Sequence, residues 1–253
     1  YVASFLAGAA FAALVAGLVA RLAFGGRAPE VSMAAFLGGF SNSGYMGIPF
    51  FLTAFGPAGQ MPVIVVSVLN GTVVVSVAAI ALELATGRGR GVGGSLLEAG
   101  RAVVSNPLIA AMGGGMLWSA AGLGLPRAAS TFLDMLGACA GPCALFAVGL
   151  FLAGQDSKAL LDRGRAGEVC AVSAVKLVVQ PLATWAAGSW LGLEPFWLAS
   201  AVLGAAFPVG ATAFVLAQRH RVYVERCSAT ILLSTVLSIA TLAVAMVVLD
   251  PRP

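Results

Sequence analysis

At 253 residues, 60% hydrophobic and only 9% charged, the chain cannot keep the surface of a soluble globule wet, since soluble domains carry about a quarter charged residues. Its net charge of +4 comes from basic residues scattered through short loops, which excludes the clustered basic footprint of a nucleic-acid binder. What remains is a protein whose main partner is the lipid bilayer.

About 20 apolar residues cross the hydrocarbon core, and eight stretches near that length follow one another at 2–24, 31–55, 62–85, 102–121, 128–152, 169–191, 196–217 and 228–249. None shows the ten-residue alternation of a membrane barrel strand. The fold class is therefore all-α integral membrane. The first span opens at Tyr1 with no Met and no charged leader, which reads as an N-terminally truncated fragment and not as a signal peptide.

The second span carries Asn42-Ser-Gly-Tyr-Met-Gly-Ile-Pro49. Proline inside a helix removes a backbone hydrogen bond and clashes with the preceding turn, and in lipid the freed groups need protein or an aqueous cavity. With Gly44 and Gly47 beside it, Pro49 marks an expected break. Asn42 admits two readings, contact with a carboxylate or hydrogen-bond glue between helices, and Tyr45 either lines the pocket or packs. In the fourth and fifth spans, Gly113 to Gly115 and the Gly137/Gly141 pair are expected to let helices approach closely. Asp134, like Glu83 in the third span, sits near a helix end where interfacial water solvates it.

In the sixth span Lys176 lies near the bilayer midplane, with Gln180 one turn on and Pro181 after it. An intramembrane ammonium is a functional hypothesis by default; the alternative is a side chain that snorkels to the interface. The seventh span holds Phe207-Pro208-Val209 after Gly204, a second expected break. Each break creates a half-helix N-terminus with unpaired N–H groups and partial positive charge, so two meeting at mid-membrane would hold an anion.

Alternate connections separate the basic residues 11 to 2, Lys176 apart. Lys and Arg favour the cytoplasmic side, which places both chain ends outward in a cytoplasmic (inner) membrane. His220, in Arg219-His220-Arg221, belongs to that basic interface.

Pro49 and Pro208 lie 159 residues apart, and Thr72…Ser76 and Thr230…Ser234 lie 158 apart. Two copies entering the membrane from opposite sides make an inverted repeat, the architecture of many secondary transporters. Five helices per copy imply a ten-helix protein with two more before Tyr1.

Cys139, Cys143, Cys170 and Cys227 have no His or carboxylate at metal-ligand spacing and read as packing residues. No Walker A, HExxH or GxSxG motif occurs. No cofactor, metal site or catalytic residue is expected, and the chain does not read as an enzyme.

The Asn42–Pro49 stretch, Asn106-Pro107, Pro142-Cys-Ala-Leu-Phe-Ala-Val-Gly149, Lys176-Leu-Val-Val-Gln-Pro181 and Phe207-Pro208 through Ala217-Gln218 resemble, in order and over essentially the whole chain, the auxin efflux carrier family. That family includes plant PIN-type carriers and bacterial permeases, and is related to the bile-acid sodium symporters. The short 86–101 and 154–168 loops are similar to the bacterial branch.

The resemblance implies an elevator-like carrier with scaffold and transport domains. Residues 1–85 and 169–253 would contribute the last three helices of each repeat to the transport domain. Residues 102–154 would be scaffold, and 86–101 and 155–168 cytoplasmic loops. Asn42 corresponds to the family's substrate-binding crossover asparagine, and the second copy has Ala201 where Asn42 maps.

The expected function is secondary transport or uniport of a small organic anion, a malonate-like dicarboxylate being the candidate. The expected substrate-binding residues are Asn42, Gly44, Tyr45, Gly47, Ile48, Pro49, Lys176, Gln180, Phe207, Pro208 and Val209. Alternatives are a sodium-coupled organic anion symporter and a membrane-embedded carboxylate sensor. A homodimer is a further candidate assembly.

Overall fold

The computed structural model describes residues 1–87, 107–154 and 163–249. The connections 86–101 and 155–168 fall largely outside them, as do Asn106 and the basic residues Arg88, Arg90, Arg101, Lys158 and Arg252. All the regular structure among the described residues is helical.

In chain order the helices are α1 (Val2–Leu22), α2 (Ala28–Gly39), α3 (Ile48–Phe55), α4 (Gln60–Leu69), α5 (Val75–Thr86), α6 (Pro107–Ala120), α7 (Arg127–Ala153), α8 (Arg163–Ala174), α9 (Gln180–Trp190), α10 (Pro195–Ala206), α11 (Thr212–His220) and α12 (Val224–Leu249). Wider π-helical turns at Ser43–Gly47, Asn70–Val74 and Val175–Val179 precede α3, α5 and α9.

Among the described residues, four helical segments are long and apolar enough to cross a membrane, Val2–Leu22, Ala28–Thr86, Arg165–Trp190 and Val224–Leu249, and Pro195–Ala206 is a shorter apolar helix. Ala28–Thr86, at 59 residues, far exceeds what one crossing needs. It doubles back through a 3-10 turn at Gly56–Gly59, which lays α4 against α3. Helices α8 and α12 begin before their apolar stretches, at Arg163 and Val224, because hydropathy marks the lipid-facing length and not the hydrogen-bonded ends.

Two cores organise the bundle. Met33, Leu37 and Phe40 of the α2 end pack with Ala213, Leu216 and Ala217 of α11, and with Leu82, Val172 and Ile231. Phe51 and Phe55 of α3 pack with Leu203, Ala206 and Phe207 of the α10 end, and with Val63 and Leu242. The half-helix leading into the first break thus shares a core with the half-helix leaving the second, and the converse holds for the other halves. The two broken helices therefore cross in opposite directions.

Helix α1 lies against both α2 and α9. The closest approach to backbone is at α2, where a Cβ on Gly39 would stand 2.7 Å from the Ala9 carbonyl oxygen. Backbone cannot yield as a side-chain tip can, so Gly39→Ala is expected to cost about 1–3 kcal/mol, read as a lowered melting temperature of the purified protein. By contrast nothing lies within 4 Å of the Cβ positions of Gly114, Gly115 and Gly137. The close contacts expected of them are not made among the described residues.

The cysteines also divide. Cys227 is buried as a packing residue, whereas Cys139, Cys143 and Cys170 are exposed. Asp134 is exposed and accepts from the Ser130 hydroxyl at 3.4 Å, in keeping with a solvated position.

At the end of the bundle where α2, α8 and α12 start, Arg226 donates to Glu168 at 2.8 Å, lies 3.4 Å from Glu30 and sits over the Tyr223 ring. A second pair joins Arg165 and Glu225. Burial, reinforced by the Glu168 carboxylate, pushes the Tyr223 phenol well above its ordinary range, with Arg226 opposing. Residues from three of the basic connections thus meet in one ionic layer.

Candidate substrate site at a helix crossing

Helix α2 ends at Gly39 and the chain continues as an unwound segment through Phe40, Ser41 and Asn42. Helix α10 ends at Ala206 and unwinds through Pro208, Val209 and Gly210. The two segments touch, the Asn42 N–H donating to the Pro208 carbonyl at 2.8 Å. Close approach needs small residues here. A Cβ on Gly210 would stand 2.8 Å from the Phe40 ring and 3.4 Å from the Asn42 Cα, and one on Gly47 would stand 3.1 Å from the Phe207 ring.

The first break is not at Pro49. That residue lies in the first turn of α3, where a helix has no use for its missing N–H, and the unwound segment precedes it by seven residues. Pro208 does lie within its break. The two prolines therefore do not correspond in space. Pro29 and Pro195, each in the first turn of its helix, and the breaks starting at Phe40 and Phe207 stand 166 and 167 residues apart.

Breaking a helix frees backbone groups that lipid cannot satisfy, and side chains from other helices take them up. The Ser41 N–H donates to Asn70 Oδ1 at 3.3 Å, and Asn70 Nδ2 donates to Ser43 Oγ at 3.0 Å. At the other break the Val209 N–H donates to Ser234 Oγ at 3.2 Å. Beneath the crossing, Gln180 Nε2 donates to the last α2 carbonyl, Gly39, at 3.2 Å. Lys176 Nζ donates to the Ala205 carbonyl near the end of α10 at 2.6 Å, to Ser41 Oγ at 2.8 Å and to Gln180 Oε1. Lys176 and Gln180 are fully buried, so the ammonium does not snorkel away. Ser43, Asn70 and Lys176 each lie in one of the three π turns, features that recur at functional sites.

The freed N–H groups at the half-helix starts are the complementary set. Asn42's carbonyl accepts from Met46 and Gly47 at 3.2 and 3.1 Å, leaving the amides of Ser43, Gly44 and Tyr45 without an intrahelical acceptor. Around the second break, the amides of Ala213 and Phe214 are the first to close backbone turns, onto Gly210 and Ala211. The amides of Gly210, Ala211 and Thr212 are left open in the same way.

Of the residues expected from sequence, Asn42, Gly47, Pro49, Phe207, Pro208 and Val209 are buried at the crossing, and Ile48 is half-buried there. Gly44 has open space beside it and Tyr45 is 49% exposed, facing outward from its turn. Asn42 is buried to all but 5%, and its side-chain amide forms no hydrogen bond with the described residues. Ser41, Asn70 and Ser234 were not anticipated. Asn70 carried a readable signal, a lone amide in an apolar span.

Two cavities of about 510 and 420 Å³ lie elsewhere, one between α9, α10 and α12 and the other between α1, α2 and α5. Their linings, such as Leu182, Trp185 and Val244 in the first and Leu6, Ala10 and Val77 in the second, offer a carboxylate almost nothing. Among the described residues the freed backbone groups and the polar side chains that meet them gather at the crossing instead.

Residues 95–246 match the family described as "Membrane transport protein". The chain is also 32% identical, over 213 residues, to a protein of Rhizobium meliloti (strain 1021) named "Putative malonate transporter". That match covers 84% of this chain and 65% of the relative. Helices suited to a membrane, two helix breaks that cross, and a family match over more than half the chain agree: the protein belongs to the membrane transport protein family, the auxin efflux carrier permeases that its motifs resemble.

Proposed function

We propose that the protein moves a small organic anion across the cytoplasmic membrane as a secondary transporter or uniporter, gripping it at the crossing. The observation that carries this reading is the place of Asn42, a residue 5% exposed whose side chain caps neither half-helix, beside two half-helix N-termini. Such termini attract anions through free N–H groups and the helix dipole. The amide adds a donor of the kind that orients a carboxylate. Gly44, Gly47 and Ile48 form the wall on one side, with Tyr45 turned outward from it, and Phe207, Pro208 and Val209 form the wall on the other.

The two broken helices belong to two inverted repeats, related by an offset of 166–167 residues and not by the Pro49 and Pro208 pairing. In that register Asn42 stands opposite Val209, so the two halves of the site are chemically unequal. Helices α1–α5, α8 and α10–α12 share the two cores and α9 packs on α1 and α10, whereas α7 meets the 43–47 turn and α3. This division supports elevator-like movement of the first group against the second. The ionic layer around Arg226 faces the cytoplasm and the two chain ends face outward.

The name of the Rhizobium relative makes malonate the first anion to test. Counterflow of labelled malonate, succinate and indole acetate in proteoliposomes is expected to show exchange of a dicarboxylate. If none of the three exchanges, the anion assignment fails.

A further inference from the structure

We infer that the two apolar cavities are one alkyl-chain site present twice, each holding an acyl chain of a membrane phospholipid, one chain from each leaflet. The inference concerns the protein's contact with lipid and stands apart from the substrate assigned above.

The cavities, of about 510 and 420 Å³, are the same face of the two halves of the chain. Leu6, Ala9, Ala10 and Ala13 of the smaller stand 172 residues before Val178, Pro181, Leu182 and Trp185 of the larger. The five lining positions from Val73 to Ala81 stand 167 residues before the five from Ala240 to Val248, with the same alternation of one- and three-residue steps. The second offset is also the one that relates the two helix breaks. Exposure follows it too, Val77 being 62% exposed and its counterpart Val244 61%.

The hydroxyls in these linings are those of Ser32 and Thr241, and each donates to a carbonyl of its own helix, Ala28 at 3.0 Å and Ser238 at 3.4 Å. Neither cavity therefore turns a charge or a free donor toward its occupant, and an alkyl chain needs none. The walls differ in shape, with Ala9, Ala10 and Ala13 in one where the other has Pro181, Leu182 and Trp185. A rigid helix that fits one would not fit the other, whereas a chain of rotatable bonds fits both.

Position points to lipid as well. The smaller cavity reaches Val31 in the first turn of α2, beside the ionic layer, and the larger reaches Leu249, the last residue of α12, at the opposite end of the bundle. A two-fold dimer pairs a surface with itself, so it would cover one cavity and leave the other, whereas a bilayer supplies chains at both ends. Arg27, exposed just before α2 and one turn from Val31, stands at the mouth of the smaller cavity. A cationic side chain there suits the phosphate of the lipid whose chain lies inside.

Lipid tails are as apolar as these walls, so the gain comes from contact and not from leaving water. An empty cavity would forfeit dispersion contacts along its whole lining. The chain in the smaller cavity touches Phe36 and Gly39 at the end of α2, and the chain in the larger touches Val202 of α10. Each lipid thus braces the half-helix that leads into a break.

Parental protein taken from vesicles of brominated-chain phosphatidylcholine and phosphatidylglycerol, then washed in lipid-free detergent, is expected to retain about two phospholipids per chain by phosphorus assay, one for each cavity. Trp185 fluorescence, read as the difference from Trp185→Phe, should stay quenched by the retained bromines. Ala10→Phe fills the smaller cavity and Ala240→Phe the larger. Each should halve the lipid count, and only Ala240→Phe should restore Trp185 fluorescence. Arg27→Gln should lower the share of phosphatidylglycerol retained. Parental protein that retains no phospholipid, or filled variants that retain as much as the parent, overturn the inference. So does a filled variant whose oligomeric mass falls while its lipid count holds, since copies of the chain would then cover that face. Where a variant does not accumulate, the parental count and the Trp185 quenching decide alone. None of these readings involves a transported anion, so malonate counterflow can fail without touching them.

Discussion

Asn42→Ala is expected to lower counterflow at least tenfold while shifting folding stability by no more than about 0.5 kcal/mol. The two halves of that expectation have separate causes. The Asn42 backbone is fixed by its N–H on Pro208 and by its carbonyl under Met46 and Gly47, and alanine keeps both. The side-chain amide makes no hydrogen bond with the described residues, so removing it breaks nothing in the resting protein. With an anion bound, the same amide supplies a hydrogen bond to charge, worth roughly 1.5–3 kcal/mol, and about 1.4 kcal/mol is a factor of ten in affinity.

Asn70→Ala serves as the contrast. Its amide holds the Ser41 N–H and the Ser43 hydroxyl, so its loss should appear in stability. Counterflow and melting measured on both variants separate the roles. An Asn42→Ala protein that exchanges substrate at the parental rate removes Asn42 from the site.

Arg226→Gln is expected to destabilise the protein by about 3 kcal/mol, the low end of the cost of breaking a buried ion pair by removing one partner. The low end applies because the Arg226 side chain is 24% exposed and that of Glu30 32%, whereas that of Glu168 is only 4% exposed. Most of the cost therefore falls on Glu168, left as an uncompensated carboxylate between α8 and α12. Adding Glu168→Gln should recover most of the loss, since an uncharged amide needs no cation. The pair should hold in high salt, because screening acts weakly on buried charges. Chemical unfolding of the single and double variants reads this directly. A double variant no more stable than Arg226→Gln alone would show that the arginine works through packing against Tyr223, not through charge.

The difference between what was legible in the sequence and what was not is clearest at the two prolines. Pro49 and Pro208 both signalled a break, yet only Pro208 lies in one. A proline reports that an N–H is dispensable, and that is as true in the first turn of α3, where Pro49 sits, as inside an unwound segment. Chain-local chemistry does not separate those cases.

Which residues unwind depends on who accepts the freed backbone groups. Those partners come from far along the chain: Asn70 for Ser41, Ser234 for Val209, Gln180 for Gly39 and Lys176 for Ala205. Likewise an ammonium near mid-span was plain from position, but whether it faced substrate, lipid or protein was decided by three oxygens gathered from α9, α10 and the first unwound segment.

The sequence by itself determined a helical membrane protein and the two regions where helices would fail. Hydropathy and proline chemistry are properties of consecutive residues, and lipid enforces them strictly. Only the tertiary structure decided where the helices open, that the two openings cross in opposite directions, and that Lys176 is enclosed beneath them. Each of those outcomes is a matter of satisfying buried polar groups, and in a membrane the satisfying partner is set by packing between helices, not by proximity along the chain.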